Sequence, residues 1–67
     1  MNLREARFKK RLTQYDVWKF SGISQSKISL IERGYVSPTR KEKSAIAKAL
    51  EVDPKEINWT RPQGEGL

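Results

Sequence analysis

Sixty-seven residues, 36% hydrophobic and 33% charged, make one small domain of modest stability, since a chain this short buries only about 60% of its unfolded surface. It has no Cys and no His, which excludes disulfides, thiolate or imidazole metal sites and a Cys or His catalyst; its scattered carboxylates assemble no acid/base pair, so neither an enzyme nor a metal or cofactor is expected. Fourteen Lys and Arg against eight Asp and Glu leave a formal net charge of +6, a balance that attracts polyanions, nucleic acid first among them, and that serves equally as a solubilising surface.

The start of the chain is polar (Asn2, Arg4, Glu5, Arg7), and no apolar run is long enough for a leader peptide or a membrane span, so a soluble cytoplasmic chain is the default. Punctuation then divides the sequence into five short helical stretches. The first runs from about Asn2 to Lys10, with Leu3, Ala6, Arg7 and Lys10 at helical spacing. Thr13-Gln14-Tyr15-Asp16 reads as a capping box with Asp in place of the usual Glu. The helix it opens carries Val17, Trp18 and Ser21 on one stripe and stops before Gly22. Ser24 caps the third helix, and Ile23 with Ile28 forms a hydrophobic staple. Ile28 and Ile31 mark its inward face, and Gly34 supplies a left-handed ending.

Tyr35 to Pro38 is loop. Thr39-Arg40-Lys41-Glu42 is a full capping box, followed by the apolar stripe Ile46, Ala47 and Leu50. Asp53-Pro54-Lys55-Glu56 starts a last short helix, with Asp at the cap and Pro at the first helical position; it brings Ile57 and Trp59 to the core or to a partner. From Thr60 to Leu67 the composition, with Pro62, Gly64 and Gly66, is that of a flexible tail. The expected domain is therefore residues 1–59, all-α, with no repeat and no strand pattern.

Two short helices joined through one glycine, Thr13–Ser21 and Ser24–Arg33, have helix-turn-helix spacing, which places one stiff helix on a platform where it can enter a major groove. The blocks Leu12-Thr13-Gln14, Ser21-Gly22-Ile23-Ser24-Gln25-Ser26-Lys27-Ile28-Ser29-Leu30-Ile31-Glu32-Arg33-Gly34 and Ile46-Ala47-Lys48-Ala49-Leu50-Glu51-Val52 closely resemble the phage-repressor and Cro type of helix-turn-helix domain. The likeness covers about residues 3 to 59. It implies a lambda-repressor-like fold of five helices that binds double-stranded DNA sequence-specifically as a homodimer, in most such proteins to repress transcription. An alternative with the same fold is a protein-interaction module, an antitoxin or antirepressor that masks a partner protein.

On a helical wheel Ser24, Ile28, Ile31 and Glu32 share one arc of the third helix, and Gln25, Ser26, Ser29, Leu30 and Arg33 share the opposite one. The arc holding both isoleucines is core; the other, by resemblance, faces DNA. Gln25, Ser26, Ser29 and Leu30 are then the candidate base contacts: a glutamine pairs bidentately with adenine, and a leucine meets a thymine methyl unless it is merely an exposed apolar residue. The resemblance assigns backbone contacts to Gln14, which in similar domains also braces the first reading glutamine, here Gln25, and to Ser24, Lys27, Arg33, Tyr35 and Ser37. Arg40, Lys41 and Lys43 join them: they crowd a helix N-terminus where the dipole disfavours cations, so an external anion would account for them. Arg7 and Glu32 fall on inward stripes and match a structural ion pair of some relatives. Tyr35, Val36, Val52, Ile57 and Trp59, read as lying outside the three-helix core, are the candidate dimer interface. The aromatic residues depart from the family: Trp18 stands where alanine is usual, which implies altered packing between the second and third helices. Phe8, Tyr15 and Phe20 take positions often polar, and form either an annex to the core or an exposed patch for a partner.

Overall fold

A computed structural model describes residues 1–59; the expected tail from Thr60 to Leu67 lies outside the described residues. Four α-helices follow one another: α1 (Leu3–Lys9), α2 (Gln14–Ser21), α3 (Gln25–Glu32) and α4 (Arg40–Leu50). The chain is all-helical, with no strand among the described residues. It has the lambda-repressor-like arrangement.

Helix starts follow from side chains that satisfy the orphan N–H groups of the first turn. Reciprocal capping boxes close α1 (Asn2 with Glu5), α2 (Thr13 with Asp16) and α4 (Thr39 with Glu42), while Ser24 alone caps α3. The fifth expected helix is a single 3-10 turn, Pro54–Glu56, capped by Asp53. It goes no further because Ile57 is extended (φ −101°, ψ 129°) and drops into the core. The next residue is tied to the start of the chain: the Asn58 N–H donates to the Met1 carbonyl at 2.6 Å, and Asn2 and Asn58 form an isolated parallel bridge.

One core holds the helices together. Leu3 and Ala6 from α1, Val17 from α2, Ile28 and Ile31 from α3, Ile46, Ala47 and Leu50 from α4, and Ile57 are all buried. Leu12, Ile23, Val36, Val52 and Trp59 pack around this cluster. Two expectations are corrected. Trp18 does not join Val17 in the core: it is 40% exposed and lies against Tyr15, ring centroids 5.2 Å apart. Val36, Val52, Ile57 and Trp59 do not lie outside the core. Ile57 is a core residue, and the Trp59 indole N–H donates to the Pro54 carbonyl at 3.0 Å, so a domain short of apolar residues uses them on itself.

Candidate nucleic-acid interface

The corner between α2 and α3 fixes how α3 is presented. Gly22 turns with φ +80°, and the Ser21 hydroxyl braces the corner by donating to the Val17 carbonyl at 2.5 Å and accepting from the Ile23 N–H at 3.1 Å. Sequence reading put Ser21 on the stripe of Val17 without assigning it this role; its place one residue before the turn glycine is the signal for such a brace. Ile28 and Ile31 then seat α3 on the core.

A second fixture works from beneath. The Arg7 guanidinium reaches from α1 to the Glu32 carboxylate with two hydrogen bonds, 2.7 Å from Nε and 3.2 Å from Nη2. The side chains are 9% and 5% exposed. Arg7 also donates from Nη1 to the Leu12 carbonyl at 3.0 Å, which ties the loop ahead of α2 to the same network. The Gln14 amide donates to Glu32 Oε1 at 3.1 Å, so in this structure Gln14 braces Glu32 rather than Gln25. Both oxygens of the buried carboxylate thus accept from donors of α1 or α2, a pairing that favours one arrangement of the buried ion pair.

Above this network the polar arc of α3 is open to solvent. Gln25, Ser26, Leu30 and Arg33 are exposed and Ser29 is half-buried. Gln14, Ser29 and Arg33 line a cleft of about 220 Å³ whose base is the Arg7–Glu32 pair and whose further wall is Arg4. Arg4 is a cation that sequence reading missed, although its place one turn before Arg7 puts both on neighbouring faces of α1. Ser24 and Ser37 are exposed, as is Tyr35 at 65%. Lys27 is otherwise engaged: its ammonium sits 2.7 Å from the Glu42 carboxylate, across the gap between α3 and α4. That contact, with the Thr39 N–H beside it, holds the Glu42 carboxyl below its ordinary value. Arg40 and Lys41 are exposed at the start of α4 and Lys43 is half-buried beside Asp53 and Trp59. The structure therefore gathers Gln14, Gln25, Ser26, Ser29, Leu30 and Arg33 about one helix and sets Arg40, Lys41 and Lys43 at the start of another.

Four short helices with an exposed polar third helix seated by a glycine corner define a helix-turn-helix protein. The Helix-turn-helix family matches residues 3–57 of this chain, and the chain belongs to that family in its Cro and phage-repressor form, a family of DNA-binding regulators. No curated protein and no solved structure gave a match to the chain. No helix of the described residues is long and apolar enough to cross a membrane.

Proposed function

We propose that the chain recognises a specific double-stranded DNA sequence in the cytoplasm and represses transcription there as a homodimer on a pseudo-palindromic operator. The observation that carries this reading is the two-sidedness of α3, whose inward face is buried to within a few per cent while Gln25, Ser26 and Leu30 stand exposed on a face braced from below by Glu32. A rigid helix with polar side chains near its N-terminus fits the major groove, where Gln25 reads adenine and Ser26 and Ser29 read neighbouring edges. Gln14, Ser24, Arg33, Tyr35, Ser37, Arg40, Lys41 and Lys43 supply the phosphate contacts. Lys27 does so only by giving up Glu42. No catalytic step, metal or cofactor enters this function.

Selection from a random duplex library tests it. Enrichment of one pseudo-palindromic sequence with half-sites about one helical turn apart is the expected result. Equal retention of all duplexes would remove sequence specificity, and no retention would remove DNA as the ligand. A second reading, a protein-interaction module, is favoured by one observation: Phe8, Tyr15 and Phe20 are 56%, 51% and 64% exposed, not an annex of the core.

A further inference from the structure

Phe20 is the most exposed aromatic residue of the helices, at 64%, and it does not stand on a bare surface. It forms one wall of a groove of about 590 Å³ between the end of α2, the segment after α1 and the end of α4. Leu12, Ala49 and the fully buried Leu50 make its floor, and Lys10 and Lys48 its exposed rim. Such a volume suits one or two inserted side chains. No residue of α3 lines it.

The backbone around the groove is unusual in the same place. Among the described residues, the non-glycine residues with left-handed backbone are Arg11 (φ 57°) and Glu51 (φ 58°). Glu51 lines the groove and Arg11 lies between its residues Lys10 and Leu12. Each is a backbone conformation that glycine would adopt more readily.

We propose that this groove docks an acidic amphipathic helix of a partner protein, which inserts an aliphatic or aromatic side chain beside Phe20 and sets its carboxylates against Lys10 and Lys48. Charge decides the occupant. A second copy of the chain would bring the lysine rims of both grooves together at close range. A nucleic-acid strand would meet the lysine rim but bring no aliphatic side chain to fill the floor of Leu12, Ala49 and Leu50. An acidic helix satisfies both floor and rim, and the exposed Lys9, Arg11 and Lys19, neighbours in sequence of groove residues, extend the attraction. Because the groove and the polar arc of α3 share no residue, partner and DNA can be held together. Only that last point rests on the DNA reading.

The test titrates the full chain, by amide chemical shifts, with a synthetic helical peptide bearing leucines on one face and glutamates on the other. Saturable shifts are expected at Leu12, Phe20, Ala49 and Glu51, and none from the same peptide with lysine replacing glutamate. Phe20→Ala should weaken binding about thirtyfold, the loss typical of a central aromatic anchor. Its melting temperature should hold, since the ring is mostly exposed. Lys10→Glu with Lys48→Glu should weaken binding about tenfold. Shifts confined to α3, equal binding of the lysine peptide, an unchanged Phe20→Ala affinity or no saturable binding would each overturn the proposal. So would displacement of the peptide by a single-stranded oligonucleotide, or self-association of the free chain that Phe20→Ala abolishes. The titration repeated on the duplex-bound chain separates the two readings: a chain that binds the peptide but no duplex keeps the groove and loses the DNA function.

Discussion

Gly22 turns the corner between α2 and α3 at φ +80°, yet a Cβ built there meets no atom within 4 Å. The glycine is required by backbone conformation alone, so Gly22→Ala should destabilise by about 1–2 kcal/mol and Gly22→Asn by less, read from urea melts. A much larger loss with alanine would show a steric contact. Arg7 presents the opposite case. With Glu32 5% exposed, Arg7→Met leaves a buried carboxylate with Gln14 as its remaining hydrogen-bond donor, and about 3–5 kcal/mol should go, most of the stability of a domain this small. Adding Glu32→Leu should restore much of it. A loss below about 1 kcal/mol would mean that the pair is solvated in solution. Gln25 concerns binding rather than folding: Gln25→Ala should lose about 1–3 kcal/mol on the selected duplex and relax preference at one base pair, with random duplex unaffected. Parallel losses on both duplexes would make Gln25 a general contact.

At the scale of elements, the start of α4 answers to salt. Each phosphate contact contributes about −0.9 to the slope of log affinity against log salt, so replacing two of Arg40, Lys41 and Lys43 by Gln should flatten the slope by about 1–2. An unchanged slope would leave them as solvated cations. The caps of α2 and α4 answer to pH. The Thr13 backbone N–H and hydroxyl hold the Asp16 carboxyl below its ordinary value, and Lys27 with the Thr39 N–H does so for Glu42. Depressed carboxyls stabilise the fold at neutral pH, and that stability goes as pH falls through their folded-state values, so melting temperature should drop below about pH 4. Asp16→Asn with Glu42→Gln should flatten that drop. The caps of α2, α3 and α4 were legible in the sequence because cap and partner lie three residues apart, whereas Asn2, read as the first helical residue, caps α1 with Glu5. Arg7 and Glu32 could be placed on inward stripes for a similar reason, periodicity, and they meet across the core. What local pattern left open is what depends on distant segments: Ile57, read as going to the core or to a partner, enters the core because the turn at Pro54 ends early and Asn58 pairs with Met1. The partner of Lys27 lies fifteen residues on, across a helix gap that no local pattern reveals.

For the molecule as a whole, size bears on stoichiometry. One reading helix contacts about half a turn of major groove, and a single small domain buries too little surface for tight specific binding. The domain measures 32 × 22 × 22 Å, while half-sites one helical turn apart place reading helices about 34 Å from each other. Two copies so placed touch only at their edges. The apolar residues first read as the interface are largely committed to the monomer: Ile57 is 4% exposed and Val36, Val52 and Trp59 pack against the core, so the contact falls chiefly on Tyr35 and the outer edges of those three. In the proposed pair, a contact that small should leave the free chain sedimenting as a monomer that pairs only on DNA. Titration of the selected duplex should therefore saturate at two chains, cooperatively, and Tyr35→Arg should remove the cooperativity while the half-site keeps its sequence preference. Saturation at one chain with full specificity would sink the dimer, whereas cooperativity that survives Tyr35→Arg would move the contact off Tyr35 to the partly exposed edges of Val36, Val52 and Trp59.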